Sequence, residues 1–437
     1  MSATYNRRQV ISLGLGGIAG LSLLGLAGCD TPVASQAGGP IALKMFFWGS
    51  ATRDKLTRQT IALFHQSQQN ITITSSYSGN DVYYTKLNAQ IASGNAPDLI
   101  QMDMRYIAQY VRKGILLDLS QLIYNQTIDL SDFDPLLLDS SKVNNSLYGI
   151  PLGSNYLCMF YDSTQIDKTT LGPLPDNTTW DTFAQYTTEL SNALGNGIYG
   201  TSDASGNYDV FEIWIRQRGK ELYTVDGNLD FEMADVADWY NYWAGLRKTH
   251  ACPPANLQAT LDLSGAPTDS SVIKSKAVFS HLFTNQYEAF QKATTHPLAL
   301  AILPKGKGPG IFLKASQLLS VSASSKYPND AASFVNFVTN DPGALETLGF
   351  ERGFPGAAHA RSLLAPRSTQ NQKTITTFMD MVANSGVTRQ KEVLDPPAAG
   401  QIADILLRVS QEIGLGKTSV ANGAQEFYAA AQKATAH

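Results

Sequence analysis

Residues 80–119, NDVYYTKLNAQIASGNAPDLIQMDMRYIAQYVRKGILLDL, are the stretch that decides the fold. The pattern predicts a helix over Asp81–Ser93, a strand over Pro97–Met102 and a second helix over Arg105–Lys113. A glycine follows each helix, and glycine is the common residue where a helix ends. A buried strand between two helices predicts parallel strands that are joined by right-handed crossovers.

The residues on both sides of this stretch continue the alternation of strands and helices. Upstream, Ile41–Trp48 and Ile71–Ser75 have the composition of strands, and Arg53–His65 has a helical pattern. Downstream, the predicted strands are Leu157–Tyr161, Leu298–Leu303 and Leu318–Ser322, and the predicted helices are Thr182–Leu194, Ala234–Lys248, Asn329–Thr339 and Ser419–Ala434. The sequence therefore predicts an α/β fold.

The composition is that of a soluble globular protein, with 437 residues of which 43% are hydrophobic and 16% charged. A chain of this length is too large for one compact core, so we expect two lobes. The net charge of −4 and the lack of a basic block argue against nucleic acid as the main partner. Three cysteines are too few for a disulfide framework, and the pairing of Cys158 with Cys252 is left open.

The N-terminus has the features of an export signal. Arg7 and Arg8 precede an uncharged stretch that ends in Leu-Ala-Gly before Cys29. A membrane-spanning helix is the alternative, but six glycines weaken both the helix and its hydrophobicity. We therefore predict that residues 1–28 are a signal peptide. The arginine pair also resembles a twin-arginine motif, and the export route is left open.

The ending of this segment resembles a bacterial lipobox, which implies that Cys29 is the lipidated first residue of the mature chain. Residues 29–40 are small and rich in Gly and Pro, so they predict a flexible tether between the lipid anchor and the folded part. The protein is then expected outside the cytoplasm, anchored to the cell membrane.

The sequence carries no recognisable catalytic or metal-binding motif. Gly195, Gly197 and Gly200 form a GxGxxG pattern, but they follow a helix rather than a strand, so we interpret them as a helix end and a turn. No HExxH or GxSxG occurs, and the six histidines have no zinc-ligand spacing. We expect a binding protein with no catalytic residue, metal or cofactor.

Several segments together resemble the extracellular solute-binding proteins of bacterial ATP-driven (ABC) importers, in particular the carbohydrate-binding group that maltose-binding protein typifies. The resemblance rests on residues 80–119, on 147–151 (LYGIP), on 301–304 (AILP) and on 414–434 (GLGKTSVANGAQEFYAAAQKA). It implies a two-lobed periplasmic-binding-protein-like fold with a hinge and a ligand cleft between the lobes. Lobe one would comprise 41–152 plus 282–343, and lobe two 153–281 plus 344–437.

The resemblance implies a monomeric lipoprotein that binds a sugar or oligosaccharide and delivers it to the membrane permease subunits of an ABC importer. Two alternatives are left open. One is a lipid-anchored glycoside hydrolase, which needs a carboxylate pair roughly 5–10 Å apart. The other is a binder of the same fold for a polyamine, a metal or a peptide.

Most of the predicted ligand-binding residues lie at strand ends or at the predicted crossovers, because ligands of open α/β sheets bind beyond the carboxyl ends of the strands. Trp214 lies in a helical stretch, and Arg352 lies in a loop that the resemblance implies is in contact with ligand. Aromatic rings suit the C–H faces of a sugar, and amides, carboxylates and guanidinium groups suit its hydroxyls. The predicted residues are Trp48, Ser50, Asn80, Asp103, Asn155, Tyr156, Trp214, Asn285 and Arg352. Core packing is the alternative for the two tryptophans, helix capping for Asn80 and Asp103, and a surface salt bridge for Arg352.

Overall fold

The computed structural model describes residues 39–139, 141–391 and 393–436, so the predicted signal peptide, Cys29 and nearly all of the tether lie outside the described residues. The strands are β1 (Ile41–Trp48), β2 (Ile71–Ser78), β3 (Leu99–Met102), β4 (Lys142–Val143), β5 (Ser146–Leu147), β6 (Ile150–Asn155), β7 (Leu157–Asp162), β8 (Tyr199–Thr201), β9 (Ala277–Phe283), β10 (Leu298–Ala301) and β11 (Lys314–Val321).

The helices alternate with these strands and then dominate the C-terminal part. They are α1 (Ala51–Ser67), α2 (Asn80–Ala92), α3 (Met104–Arg112), α4 (Ser120–Tyr124), α5 (Pro135–Asp139), α6 (Ser163–Ile166), α7 (Trp180–Leu194), α8 (Tyr208–Arg216), α9 (Met233–Lys248), α10 (Ala255–Gln258), α11 (Tyr287–Lys292), α12 (Pro328–Asn340), α13 (Pro342–Leu348), α14 (Ala358–Leu364), α15 (Gln370–Asn384), α16 (Ala399–Gly414) and α17 (Val420–Thr435). None of the helices in the described ranges is long and apolar enough to cross a membrane. The predicted α/β class is confirmed.

A five-stranded sheet forms the centre of lobe one, in the order β2-β1-β3-β11-β6. β1 pairs in parallel with β2 and β3, as the sequence predicts, because α1 and α2 return the chain to the same end of the sheet. β11 arrives much later in the chain and runs antiparallel to both of its neighbours. The centre of the sheet is buried on both faces, since every residue of β3 and β11 is buried, whereas the edge strand β2 is partly exposed.

A second sheet forms the centre of lobe two, in the order β10-β7-β9-β8. β7 pairs antiparallel with β9 and β10, whereas β8 and β9 run parallel. An aromatic core lies between this sheet and the surrounding helices, and Trp239 and Trp243 of α9 are fully buried in it. Cys158 and Cys252 are buried free thiols of the same core.

The GxGxxG pattern begins at a helix end, as the sequence predicts. Gly195 ends α7 with φ of 60°, a left-handed conformation that glycine adopts easily. Gly416 follows α16 with φ of 71°, and α17 begins behind Ser419, whose side chain accepts a hydrogen bond from the Asn422 N–H.

The strand pairing favours crossovers between the lobes that lie later in the chain than the predicted lobe boundaries. The predicted boundaries themselves stay a prediction. The chain first passes from one sheet to the other at Tyr156, between β6 and β7. β10 lies in the range assigned to lobe one, yet it pairs with β7 of the second sheet. After residue 343, Ala357 and Ala360 still pack in the lobe-one core, whereas Leu364 and Ile375 pack in the lobe-two core.

Candidate ligand-binding site

A cavity of about 540 Å³ lies where residues of both lobes meet. Its size is within the roughly 300–1,000 Å³ that is typical of small-molecule sites. Lobe one contributes the residues that follow β1 and β3 and the start of β11. Lobe two contributes the loop after β8, the first turn of α8 and the segment after β9. The cavity therefore lies at the strand ends where the sequence predicts a ligand site.

Six of the nine predicted binding residues line this cavity, namely Trp48, Ser50, Asn80, Asp103, Asn155 and Asn285. They come from separate chain segments, and the fold brings them to one place. Three do not line it, namely Tyr156, Trp214 and Arg352. Ligand contact by the six stays a prediction, and their common location supports it.

Trp48 has a mixed environment, because it ends β1 inside the core and also borders the cavity. Its side chain is only 7% exposed, and its ring packs edge-on against Tyr83 at 5.1 Å between centroids. Its carbonyl oxygen accepts hydrogen bonds from Arg53 Nη1 (3.2 Å) and Gln101 Nε2 (3.3 Å). The two interpretations of Trp48 are thus compatible: most of the ring is core, and the remainder faces the cavity.

The helix-capping alternatives also apply to residues on the cavity wall. The hydroxyl of Ser50 accepts from the Arg53 N–H (3.3 Å) and caps α1. A carboxylate oxygen of Asp103 accepts from the Arg105 N–H (2.8 Å) and caps α3. Asn80 is the first residue of α2 and is exposed, and the N-cap of that helix is Gly79. Asn80 therefore keeps its amide free of a capping role.

Asn155 and Asn285 form an amide pair across the first crossover. Asn155 Nδ2 donates to Asn285 Oδ1 at 2.9 Å. Asn155 is 3% exposed, and its Oδ1 is buried without a hydrogen-bond partner in the protein. A buried amide oxygen of this kind normally accepts a hydrogen bond, so it is an acceptor available to a bound molecule.

A charged network crosses the cavity and was not predicted from the sequence. Asp209 of α8, in lobe two, lies 2.9 Å from Arg105 Nη2 of α3 and 3.1 Å from Lys314 Nζ of β11, both in lobe one. Lys314 Nζ is also 3.7 Å from an oxygen of Asp103. Burial alone would raise the pKa of Asp209, but the two cations outweigh it and hold that pKa well below its ordinary value.

The same balance of burial and attraction acts on the cations. Burial would lower the pKa of Lys314, yet Asp103 and Asp209 raise it above its ordinary value. Lys314 and Asp209 are therefore a charged pair near neutral pH. The sequence shows both residue types, but no local pattern predicts their contact, because Asp209 and Lys314 lie about a hundred positions apart on different elements.

Two further ion pairs lie on the cavity wall. Arg53 Nε lies 3.2 Å from Glu351 Oε1, and burial lowers the pKa of this guanidinium against the attraction of Glu351. Arg247 Nε lies 2.6 Å from Asp203 Oδ2 in lobe two. No group of three or more His, Cys, Asp or Glu that could hold a metal ion occurs among residues 39–139, 141–391 and 393–436.

Trp214 and Tyr156 are corrections to the predicted site. Trp214 is 5% exposed and packs against Trp180 and Trp239 in the lobe-two core, with its ring under the guanidinium of Arg218. Tyr156 is 6% exposed, and its N–H donates to the Thr284 hydroxyl. Both side chains are therefore buried by packing, Trp214 inside a mostly apolar helix and Tyr156 beside a strand.

Arg352 is the third correction, and it is neither a surface ion pair nor part of the cavity wall. It is 3% exposed, and its guanidinium donates to the side chains of Gln101, Gln317 and Thr57 above the ring of Phe47. Burial lowers its pKa to about 9. A buried charge held by polar partners is a structural element that supports the strands behind the cavity.

Comparison with known proteins agrees with this architecture. Residues 59–375 match the family model described as bacterial extracellular solute-binding protein. A multiple sugar-binding protein of Streptococcus mutans is 24% identical over 356 residues, which is 75% of this chain and 78% of that protein. Binding proteins of Brucella abortus and Brucella suis are 24% identical over 215 residues, and the match spans about half their length (49%) and 48% of this chain.

A solved structure has the same fold over most of the chain. The periplasmic oligogalacturonide-binding protein of Yersinia enterocolitica, in complex with saturated digalacturonic acid, superposes with a TM-score of 0.80 at 22% identity. The superposition covers 91% of this chain and 99% of that chain. This likeness confirms the two-lobed periplasmic-binding-protein-like fold.

Proposed function

Because the chain belongs to the bacterial extracellular solute-binding proteins, we propose that it binds a sugar or oligosaccharide in the cavity between its lobes. The observation that carries this proposal is the composition of the wall. Trp48 and Phe283 supply ring surface, and Asn80, Asn155 and Asn285 supply amides. A saccharide needs both, since it presents apolar C–H faces and a rim of hydroxyl groups.

The importer and the membrane anchor belong to the same proposal. Delivery to the permease subunits of an ABC importer is part of the proposal, and membership in the family supports it. Lipidation of Cys29 and cleavage of residues 1–28 are supported by the sequence alone, because these residues lie outside those the structure describes. We propose a monomeric lipoprotein that is tethered on the outer side of the cell membrane.

A glycoside hydrolase remains the alternative that needs a test, because several carboxylates line the cavity. Hydrolysis requires a carboxylic acid that is protonated near neutral pH to act as general acid. Asp209 is unsuited to that role, since Arg105 and Lys314 lower its pKa and hold it as an anion. Asp262 also lines the cavity and burial raises its pKa, so the hydrolase alternative rests on that carboxylate. For a binding protein, we expect the ligand to leave the protein unchanged.

The experiment is a thermal-shift screen of the purified protein against neutral and acidic mono- and oligosaccharides, with amino acids, peptides and polyamines as controls. Ligands that raise the melting temperature are then titrated by calorimetry, and the recovered ligand is analysed by chromatography. A saccharide that binds and is recovered intact supports the proposal. Binding of a control compound alone, or release of shorter sugars, would contradict it.

A further inference from the structure

The charged side chains of the cavity wall are the starting point. Four cations line the cavity, namely Arg53, Arg105, Arg247 and Lys314. In that order, the distances from a side-chain nitrogen to the nearest carboxylate oxygen are 3.2, 2.9, 2.6 and 3.1 Å. Each cation is thus already held by a carboxylate. Among the described residues, Arg105 Nε is the one nitrogen of these four cations that is buried without a hydrogen-bond partner, and its guanidinium already holds Asp209 through Nη2.

Five carboxylates line the same cavity. Three of them, Glu351, Asp209 and Asp203, are the partners just described. The other two are Asp103, which lies 3.7 Å from Lys314 Nζ, and Asp262. Asp262 accepts hydrogen bonds from the Ser271 N–H (2.9 Å) and Gln258 Nε2 (3.2 Å), and burial raises its pKa. Four positive and five negative groups give the lining a net charge between −1 and zero. The lining therefore offers a ligand carboxylate no excess of positive charge.

Three neutral polar atoms of the wall lack a partner within the protein. Asn155 Oδ1, Ser270 Oγ and His281 Nε2 are buried and make no hydrogen bond, and all three residues line the cavity. A sugar hydroxyl both donates and accepts, so it can pair with each of these atoms. A ligand carboxylate only accepts, and against the amide oxygen of Asn155 it would place acceptor against acceptor.

We infer that the cavity selects uncharged saccharides and rejects uronic acids, an inference that rests on the proposed sugar-binding function and narrows it. The selectivity comes from pairing: a uronate carboxylate would have to share a cation with the protein carboxylate that already holds it, or displace that carboxylate and leave it buried without a partner. Leaving one charge of a buried pair unpaired is strongly unfavourable. The digalacturonic acid of the Yersinia relative is accordingly a ligand that this cavity should not favour.

The test compares matched ligands by titration calorimetry on the purified full-length protein at physiological salt. The probes are neutral di- and trisaccharides of glucose, galactose and mannose, together with their uronic-acid counterparts, including α-1,4-galactobiose against digalacturonic acid. We expect the tightest neutral ligand to bind at least tenfold more tightly than its uronate counterpart. A uronate that binds as tightly as its neutral counterpart, or more so, overturns the inference and leaves saccharide binding intact.

Failure of the underlying function has a different signature, because then no saccharide of either kind binds and a control compound does. Two variants test the mechanism. Asp209→Asn frees Lys314 and Arg105, and Glu351→Gln frees Arg53, so each should shift the uronate-to-neutral affinity ratio about tenfold towards the uronate. Asp380→Asn changes the net charge equally on an exposed face of α15 outside the cavity lining and should leave the ratio unchanged.

The uronate-to-neutral affinity ratio is measured because a general loosening of the cleft would weaken the binding of both ligands and leave the ratio unchanged. If Asp209→Asn does not fold, Glu351→Gln remains a complete test. An unchanged ratio in every folded variant refutes the assignment of selectivity to the ion pairs.

Discussion

Truncation of Trp48 should affect two properties at once, because its ring belongs to both the core and the cavity wall. Trp48 is only 7% exposed, and its ring packs on Tyr83 and Tyr84. Replacing a buried Trp by Ala typically lowers the free energy of unfolding by about 3–5 kcal/mol. We expect Trp48→Ala to lose an amount in that range.

The same change should weaken saccharide binding. A ring stacked on a partner contributes ~0.5–1.5 kcal/mol beyond area burial, which corresponds to about a twofold to tenfold loss of affinity. Trp48→Phe keeps an aromatic face and should recover much of both properties. Denaturant unfolding gives the stability, and calorimetry at a temperature where every variant is folded gives the affinity.

Trp214→Ala is the matched control for this experiment. Trp214 is 5% exposed in the lobe-two core and does not line the cavity, so its loss should lower stability to a similar extent and leave the affinity unchanged. Equal effects of the two truncations on affinity would mean that the loss reflects general loosening. Wild-type affinity in folded Trp48→Ala would refute the role of its ring in binding.

Three further predictions concern pH, the anchor and the buried arginine. Burial lowers the pKa of His281 to about 4 from an ordinary value near 6.5. The unfolded state therefore binds the proton more tightly, and the free energy of unfolding should fall by roughly 3 kcal/mol between pH 6.5 and 4. Denaturant titrations of the His281→Gln variant should lack most of that fall. Cys29→Ser should release the protein from the membrane fraction of its native host, and continued membrane association with an uncleaved leader would support a spanning helix instead. Arg352→Ala should lower the free energy of unfolding by about 1–3 kcal/mol for each buried amide oxygen that loses its donor, namely those of Gln101 and Gln317. A chemical denaturation midpoint equal to that of the wild type would contradict this structural role.

The sequence was most informative where local patterns repeat. The predicted elements between Ile41 and Lys113 agree with β1 to α3 within a few residues, because alternation, apolar runs and terminal glycines are local properties. The rule that ligands bind beyond strand ends placed Trp48 and Asp103 on the cavity wall. These residues could be identified because their position in the sheet follows directly from the order of elements.

The sequence was least informative about partners that are distant along the chain. Nothing local indicates that Asp209 meets Lys314 and Arg105, since the encounter requires both lobes to be in place. Arg352 was misassigned for the same reason, because its polar partners lie on other elements and convert a loop arginine into a buried one. Burial of charged groups is a property of the tertiary structure.

The position of Asp209 also bears on how the unliganded protein distributes itself between open and closed forms. One carboxylate joins α8 of lobe two to α3 and β11 of lobe one, so opening the hinge separates two ion pairs before any ligand is present. Apparent affinity equals intrinsic affinity multiplied by the fraction of molecules that are already competent to bind. Asp209 should therefore bias the free protein towards closure, which tightens capture of a ligand and slows reopening of the cleft by the same free energy.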